Sequence, residues 1–342
     1  MNKIYLLLIL FGISVSAQLK NIKIVDKENN SPLADSDIYF TQSTKNFISD
    51  ENGKVRIDLQ NISPNDELII SKKDYQNAVF KIAELKDDEL IIQLSKVDEI
   101  ELKETFITNL KTIDILQKVI ENYEKNFNTE QHFYKVNFSV DEIVDSINRD
   151  FINLDLQLRF KKDNLSIKSK ENVIERIVKE PNYGYNIRLS PILKDIHLKY
   201  KLEQYIKYYS TLESSSVKLT KYGNEYMYEF HLVNSVYHRF LIAKDSFAIV
   251  EFIIDGENLN FKKSDDFVNY VNTYYRYRPY QGKYILREFA RNWSTNYKEN
   301  DGSNHNVTSK INLEVQEFSN QPFPEFNQSV NEKMDIRKSF KN

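Results

Sequence analysis

Short runs in which apolar and polar residues alternate occupy most of the chain. His132–Val140 and Phe151–Phe160 are two examples, and a period of two is typical of strands with one buried face. Between Thr112 and Phe127 the apolar residues instead recur at steps of three and four. This spacing predicts an amphipathic helix from about Ile113 to Asn126, with Thr112 as its N-cap and its apolar side packed on a sheet. The pattern as a whole predicts a mainly β protein with few helices.

The first third of the chain contains several short strand patterns separated by turn signals. Lys54–Leu59 alternates between apolar and polar residues, whereas Glu67–Ser71 and Leu90–Leu94 contain continuous apolar runs. The sequence Asp50-Glu51-Asn52-Gly53 before the first of these is typical of a tight turn. Strands at this spacing predict a small β-sandwich over residues 18–104.

Three segments of this region together resemble the carboxypeptidase-like regulatory domain. They read V-D…P-L-A…I-Y-F between Val25 and Phe40, I-S-D-E-N-G-K-V-x-I from Ile48 to Ile57, and L-I-I-S-x-x-x-Y from Leu68 to Tyr75. That family is a transthyretin-like β-sandwich that is common at the front of exported Bacteroidetes proteins. The chain lacks two glycines of the family pattern, one at the first strand and one directly before Tyr75. The resemblance implies an accessory structural or binding module without catalytic residues.

The acidic turn of this module raises the question of a bound cation. Asp50, Glu51 and Asp35 offer three carboxylates, but calcium takes six to eight oxygen ligands from a compact site. We therefore interpret these residues as a solvated acidic turn and predict no metal site there.

A second and larger domain is expected over residues 131–342, joined to the first by the helix within residues 105–130. At its centre lies Tyr222–Trp293, a tyrosine-rich series of alternating segments that predicts consecutive hairpins. Val307–Val315 also alternates and is expected to close the sheet. Leu193–Tyr209 has helical spacing, as does Glu171–Lys179.

The fold class follows from this order of elements. We expect an N-terminal β-sandwich, then a helix, then a larger antiparallel β-meander or half-barrel domain with one or more packed helices. The second domain resembles, in architecture and without a shared motif, the half-barrel of periplasmic lipoprotein carriers. A likeness of architecture alone does not assign a function.

One predicted hairpin brings two histidines together. If Asn234-Ser235 is a two-residue turn, His231 lies opposite His238. Glu229 is two residues before His231 and is therefore expected on the same face. Two imidazoles and a carboxylate can bind zinc, although no HExxH motif accompanies them. The alternative is an ordinary sheet face without a metal.

A second predicted hairpin carries tyrosines and arginines. A four-residue loop, Pro279-Tyr280-Gln281-Gly282, would place Tyr277 opposite Tyr284 and Tyr275 opposite Leu286. The arginines that alternate with or flank these rings are Arg276, Arg278, Arg287 and Arg291. Such a set either binds a sugar ring or an anionic group, or forms cross-strand pairs on a half-exposed sheet.

The N-terminus has the pattern of a cleaved secretion signal. Lys3 precedes an apolar run from Ile4 to Ile13, and Val15 and Ala17 are small residues at the expected spacing before a cleavage site. Met1–Ala17 is therefore expected to be removed on export. The apolar run is shorter than the ~20 residues that a membrane-spanning helix needs, and no later segment is apolar enough to span as a helix.

Composition narrows the possible functions. The formal net charge of −3, with acids and bases mixed along the chain, gives no indication of a nucleic-acid-binding surface, and we expect no nucleic-acid partner. The absence of cysteine excludes disulfides and thiolate chemistry. The chain has no nucleophile elbow, phosphate loop or HExxH motif. We therefore assign no catalytic, cofactor-binding or metal-binding residues and no cofactor.

The sequence thus predicts an exported, non-enzymatic cell-envelope protein, periplasmic, outer-membrane associated or secreted. Its partner would be an envelope protein, a glycan or a lipid. Two alternatives stay open. One is a metal-assisted hydrolase that uses His231, His238 and Glu229. The other is a periplasmic carrier of apolar cargo, which requires an apolar cavity between the sheet and a helix.

Overall fold

The computed structural model describes residues 19–97, 110–161, 164–171, 196, 198–260, 267–298 and 302–330. The predicted signal peptide, Met1–Ala17, and nearly all of the helical pattern Glu171–Lys179 lie outside these residues. The chain divides into two compact units. The first comprises Met1–Thr105 and Thr220–Glu225, and the second comprises Phe106–Leu219 and Tyr226–Asn342.

The first unit contains two β-sheets. Its strands are β1 (Leu19–Asp26), β2 (Asp37–Phe40), β3 (Asn46–Ile48), β4 (Lys54–Asp58), β5 (Glu67–Ser71), β6 (Ala78–Lys81) and β7 (Glu89–Leu94). One sheet has the order β4-β1-β7 and the other β3-β2-β5-β6. β1 runs antiparallel to β4 and parallel to β7. Ile24 and Ile57 of the first sheet share one buried core with Ile38, Phe40 and Leu68 of the second. The two sheets therefore pack face to face.

The turn before β4 explains part of the sequence pattern. The Asp50 carboxylate accepts hydrogen bonds from the backbone N–H groups of Asn52 (2.9 Å) and Lys54 (2.8 Å). Gly53 has φ +69°, and a Cβ atom there would lie 2.4 Å from the Ile24 carbonyl oxygen. The turn thus requires glycine at position 53, and the Asp50 carboxylate stabilises it by accepting backbone hydrogen bonds.

A short later segment also belongs to the first unit. The Tyr222 hydroxyl donates to the Asp37 carboxylate, and the Asp74 N–H donates to the Lys221 carbonyl oxygen at 3.1 Å. The tyrosine-rich series predicted for the second domain therefore begins inside the first unit. Alternation in the sequence identifies strands but does not tell which core a strand joins.

The second unit is built on a long antiparallel sheet. Its strands are β8 (His132–Val144), β9 (Ile147–Lys161), β10 (Asn164–Ser169), β11 (Glu213–Ser214), β13 (Glu225–Val233), β14 (Tyr237–Ala243), β15 (Ile249–Asn260), β16 (Phe267–Tyr280), β17 (Lys283–Lys298), β18 (Asn304–Ser319) and β19 (Gln328–Ser329). A further strand, β12 (Lys218–Tyr222), pairs with β13 beside this path, and its residues from Thr220 onward belong to the first unit. Among the described residues the order is β11-β13-β14-β15-β16-β17-β18-β8-β9-β10-β19. The predicted meander is thus present from β13 to β18. β18 lies between β17 and β8, so the strand that was expected to close the sheet is internal.

Three α-helices are described in the second unit, α1 (Thr112–Glu121), α2 (Tyr123–Asn126) and α3 (Leu198–Lys207), and a 3₁₀ turn, Tyr209–Thr211, follows α3. The helix predicted over Ile113–Asn126 is therefore divided at Asn122, whose side chain donates to the Lys118 carbonyl oxygen at 2.8 Å. Asparagine competes in this way with the helical backbone pattern. The predicted N-cap is also shifted by one residue, because Lys111 precedes the first helical residue and its N–H donates to Asp114 at 3.0 Å.

The fold class is confirmed, since the protein is mainly β with several antiparallel strand pairs and few helices. In the described part of the chain no helix is both long and apolar enough to cross a membrane.

Candidate functional site

The face of the second sheet that packs against α3, here called the inner face, carries a row of aromatic rings. The row follows directly opposed positions on β13 to β17. Its members are Phe230, Phe240, Phe252, Tyr275 and Phe289. Consecutive ring centroids are 5.1, 4.7, 5.2 and 5.1 Å apart. This part of the inner face is a filled core.

Helix α3 covers this aromatic row. The Tyr205 ring contacts the rings of Phe240 and Phe252, with centroids 5.5 and 5.8 Å apart. The Lys201 ammonium donates to the Tyr275 hydroxyl at 2.6 Å. Leu202 is fully buried. The helix predicted within Leu193–Tyr209 is thus present as α3, with Leu202 and Tyr205 directed towards the sheet.

The predicted pairing of His231 with His238 is wrong. In the structure His231 lies opposite Arg239, and His238 lies opposite Leu232. The connection contains three residues, since Val233 lies opposite Tyr237, and within it the side chain of Asn234 accepts a hydrogen bond from the Val236 N–H at 2.9 Å. A shift of one residue moves a side chain to the other face of a strand. The two imidazoles therefore lie on opposite faces.

His238 is a neutral core residue. It is 5% exposed, and its Nδ1 lies 3.3 Å from the Leu232 carbonyl oxygen. Because a carbonyl oxygen only accepts, Nδ1 carries the hydrogen. Burial disfavours the charged imidazolium and lowers the pKa of His238 to about 4, and the positive charge of Lys201 acts in the same direction.

Glu229 is also accounted for by a structural contact, since its carboxylate lies 3.6 Å from the Arg239 guanidinium. No group of three or more histidine, aspartate or glutamate side chains is placed to bind a metal within the described ranges. This holds equally for the acidic turn at Asp50. The geometry therefore removes the basis of the metal-assisted hydrolase.

The second hairpin also differs from its predicted register. The turn is the two-residue pair Gln281-Gly282, with φ of 49° and 77°, as in a type I′ turn. Tyr277 lies opposite Leu286, not Tyr284. Tyr275 lies opposite Phe289, not Leu286, since a bulge follows at Arg276/Tyr277. A shift of two residues at the turn keeps each side chain on its face, so Tyr277 and Tyr284 remain on the inner side.

Ion pairs connect neighbouring strands on the opposite, outer face. The guanidinium of Arg239 contacts Glu251 at 2.5 Å. The guanidinium of Arg276 lies 3.6 Å from Glu251 and 2.9 Å from Glu288. These side chains alternate in charge across β14 to β17. They form cross-strand pairs, the simpler of the two interpretations of the arginines.

The other predicted arginines are likewise engaged within the protein. Arg278 is buried and donates to the carbonyl oxygens of Val250 (3.1 Å) and Tyr277 (2.7 Å). Arg291 donates to the Thr273 hydroxyl at 3.2 Å. Arg287 is buried and lies over the Tyr280 ring. None of these arginines lines the cavity described next.

A cavity of about 420 Å³ lies on the inner face, beyond the aromatic row. Helix α2, residues 128–131 and the start of α3 form one side, and β8, β9, β16 and β17 form the other. Its apolar lining includes Phe127, Phe160, Ile196, Leu198 and Leu286, all of them buried. A volume of this size falls in the range of about 300–1,000 Å³ that is typical of small-molecule sites.

Tyrosine hydroxyls add polar groups to these apolar walls. Tyr123, Tyr134, Tyr277 and Tyr284 line the cavity. Tyr277 is 4% exposed, and its hydroxyl has no hydrogen-bond partner among the described residues. Burial raises the pKa of Tyr277 well above its ordinary value, with Tyr123, Tyr275 and Tyr134 nearby. The phenol is therefore neutral and able to donate or accept a hydrogen bond.

Two neighbouring side chains are held in place. The Tyr134 hydroxyl is hydrogen-bonded to the backbone of Leu286, while burial raises the pKa of Tyr134. His132 Nδ1 donates to the Glu130 carbonyl oxygen at 2.7 Å, and its ring stacks on Phe160 with centroids 5.2 Å apart. These two buried polar side chains of the lining are thus held in place within the protein.

The sequence offered little sign of this cavity. The hairpin pattern predicts Tyr277 only as a cross-strand partner of Tyr284. Tyr134 and His132 lie in a segment of regular apolar and polar alternation, which predicts a strand but no cavity. The available signal was the accumulation of aromatic residues near the ends of strands that are distant in sequence.

A serine, a histidine and an aspartate also lie together at the end of the β8–β9 hairpin. Ser303 Oγ is 3.1 Å from His305 Nε2, and His305 Nδ1 is 2.6 Å from the Asp145 carboxylate. Serine hydrolases place these residue types in the same order. Here the Asp145 carboxylate also accepts from the Asn306 N–H at 2.9 Å. It thereby ties the β8–β9 turn to the start of β18, a structural role that accounts for these contacts.

Comparison with known proteins adds no family. No family model matches the chain, and no curated protein matches it. The resemblance to the carboxypeptidase-like regulatory domain therefore stays a prediction.

Two solved structures are weakly similar to this chain. One is an outer membrane lipoprotein-sorting protein domain from Vibrio parahaemolyticus, with 8% identity, 65% of this chain and 96% of that chain covered, and a TM-score of 0.33. The other is a 9R-lipoxygenase from Cyanothece PCC8801, with 11% identity, 83% and 41% covered, and a TM-score of 0.19. Likeness at this level carries no argument about function.

Proposed function

We propose that this is an exported, non-enzymatic cell-envelope protein whose second unit binds an apolar ligand in the cavity between its sheet and its helices. The cavity carries the proposal. Protein interiors are close-packed, and voids larger than a water molecule are few. A space of about 420 Å³ beside a filled aromatic row is therefore a distinct feature.

The lining favours binding over catalysis. Its buried walls are apolar and aromatic, and its buried polar side chains are the phenols of Tyr134 and Tyr277 and the imidazole of His132. Burial of apolar ligand surface against such walls contributes roughly 25 cal/mol per Å². The first unit would act as the accessory module that its resemblance to the regulatory domain implies. Of the alternatives raised by the sequence, the carrier of apolar cargo is the one that this cavity supports.

A fluorescent hydrocarbon tests ligand binding. Diphenylhexatriene has no polar atom and becomes fluorescent in an apolar site, so we expect saturable binding to the purified protein. Leu198→Trp places a larger ring at the cavity wall and should weaken that binding several-fold. Tyr200→Trp is the matched control, because Tyr200 lies on the same helix, is 62% exposed and does not line the cavity. Absence of saturable binding, or equal effects of the two variants, would contradict the proposal.

Location is tested separately. After cell fractionation the protein should appear in the envelope or extracellular fractions, with Gln18 as its first residue. Recovery in the cytoplasm with Met1–Ala17 intact would contradict export and leave ligand binding to be judged by its own assay.

A further inference from the structure

The buried part of the cavity contains a polar group that nothing in the described protein satisfies. The Tyr277 hydroxyl has no hydrogen-bond partner there, and its residue is 4% exposed. Native proteins pair the large majority of buried polar side-chain atoms, so an exception requires an explanation. The Tyr277 side chain lines a space large enough for a small molecule. A ligand atom within that space is the simplest partner.

The charges around the cavity bear on the kind of ligand. Apart from His132, the ionisable groups among its lining, phenols aside, are Glu124, Glu130, Lys161 and Lys199. Two are acidic and two are basic, so their formal charges cancel. All four are exposed or half-buried, whereas Tyr134 and Tyr277 are buried.

An ionised head group would be poorly accommodated beside Tyr277. A carboxylate or phosphate loses its hydration when buried and needs a paired cation to offset that cost. The buried guanidinium of Arg287 does not line the cavity, since it lies over the Tyr280 ring at 5.8 Å from the centroid. A neutral hydroxyl or carbonyl group needs only one hydrogen bond, and a phenol can supply it as donor or acceptor.

We propose that the cavity selects an uncharged apolar molecule with one hydroxyl or carbonyl group, and that the Tyr277 hydroxyl forms a hydrogen bond to this group. The inference rests on the proposed ligand-binding function. It adds the chemical class of the ligand and the residue that distinguishes it from a plain hydrocarbon.

Displacement of diphenylhexatriene tests this selection. The competitors are dodecane, 1-dodecanol, methyl dodecanoate and dodecanoate, which share a chain length and differ in the polar end. Tyr277→Phe should weaken 1-dodecanol, methyl dodecanoate or both about three- to tenfold, the range of one lost hydrogen bond. The affinities for diphenylhexatriene and dodecane should change by less than about twofold, because neither forms that bond. Whichever competitor responds identifies the group as hydroxyl or carbonyl.

Tyr280→Phe is the matched control, since Tyr280 is a tyrosine of the same strand that does not line the cavity. It should leave all four competitors unchanged. Equal affinity of wild type and Tyr277→Phe for both polar competitors would overturn the inference, while retained diphenylhexatriene binding would leave the proposed function standing. Tightest binding by dodecanoate would overturn the choice of an uncharged ligand. Failure of diphenylhexatriene to bind wild type would overturn both proposals.

Discussion

Removing the Tyr277 hydroxyl should stabilise the protein when no ligand is bound. A buried hydroxyl without a partner has lost its hydrogen bonds to water and costs about 1–3 kcal/mol. Tyr277→Phe removes this hydroxyl and keeps the ring, whose centroid lies 5.6 Å from that of the Phe127 ring. We therefore expect the free energy of unfolding to rise by about 1–2 kcal/mol. For a unit of this size, that corresponds to an increase in Tm of about 2–8 °C.

The chain is well suited to this measurement. Its one tryptophan, Trp293, lies in β17 of the second unit. Tryptophan fluorescence during urea unfolding therefore reports on the unit that holds the cavity. The midpoint should rise while the slope of free energy against urea stays constant, since the surface exposed on unfolding hardly changes.

Tyr134→Phe provides a control of opposite sign. The Tyr134 hydroxyl is hydrogen-bonded to the backbone of Leu286, so its removal leaves a buried backbone group without that bond. This variant should lose about 1 kcal/mol of stability. If Tyr277→Phe also loses stability, the Tyr277 hydroxyl has a partner in the free protein and the reasoning is refuted. Saturation with 1-dodecanol should stabilise wild type more than Tyr277→Phe and so reduce the difference between them.

A buried histidine, an ion-pair network and two turn glycines each lead to a further expected outcome. The pKa of His238 falls to about 4 on folding, so the unfolded chain binds more protons than the folded protein between pH 4 and about 6.5. The free energy of unfolding should therefore decrease as pH falls through that window, by roughly 3 kcal/mol at most. Urea midpoints of His238→Phe should show a correspondingly smaller decrease. Arg276→Gln removes the cation shared by Glu251 and Glu288 and should lower the free energy of unfolding by about 2–3 kcal/mol. Adding Glu288→Gln should recover part of this loss. Full additivity of the two changes would contradict the pairing. Gly282→Ala should lower the free energy of unfolding by about 1 kcal/mol for its positive φ alone, because open space surrounds the new Cβ. Gly53→Ala should lower it considerably more, because its Cβ would also lie 2.4 Å from a carbonyl oxygen of β1. Similar losses of stability in thermal unfolding of the two variants would contradict this steric argument.

The sequence identified elements well and their pairing poorly. Alternation located the strands around Lys54–Leu59, His132–Val140 and Val307–Val315, because each has one buried face. Registers depend on the number of residues in a turn, which side-chain hydrogen bonds such as that of Asn234 change. The resulting one-residue error was sufficient to create a false metal site from His231 and His238.

The order of the strands in the sheet is harder still to predict from the sequence. The placement of β8 beside β18 joins residues far apart in the chain, such as Val140 and Ile311. No local pattern encodes such a contact. The cavity is hard to predict for the same reason, because its walls come from segments far apart in the chain, within residues 123–199 and 277–286.

Two β-bulges lie between the aromatic row and the cavity at this end of the inner face. One bulge interrupts β16 and β17 between Arg276 and Tyr277, and the other interrupts β18 and β8 between Val315 and Glu317. Both follow the rung that contains Tyr275, where the aromatic row fills the core. A bulge inserts a residue, increases local twist and redirects the side chains beyond it. The side chains beyond these bulges include Tyr277 and Tyr134, which line the cavity. The interruptions of pairing thus coincide with the change from filled core to open space, as expected if the bulges shape the binding site.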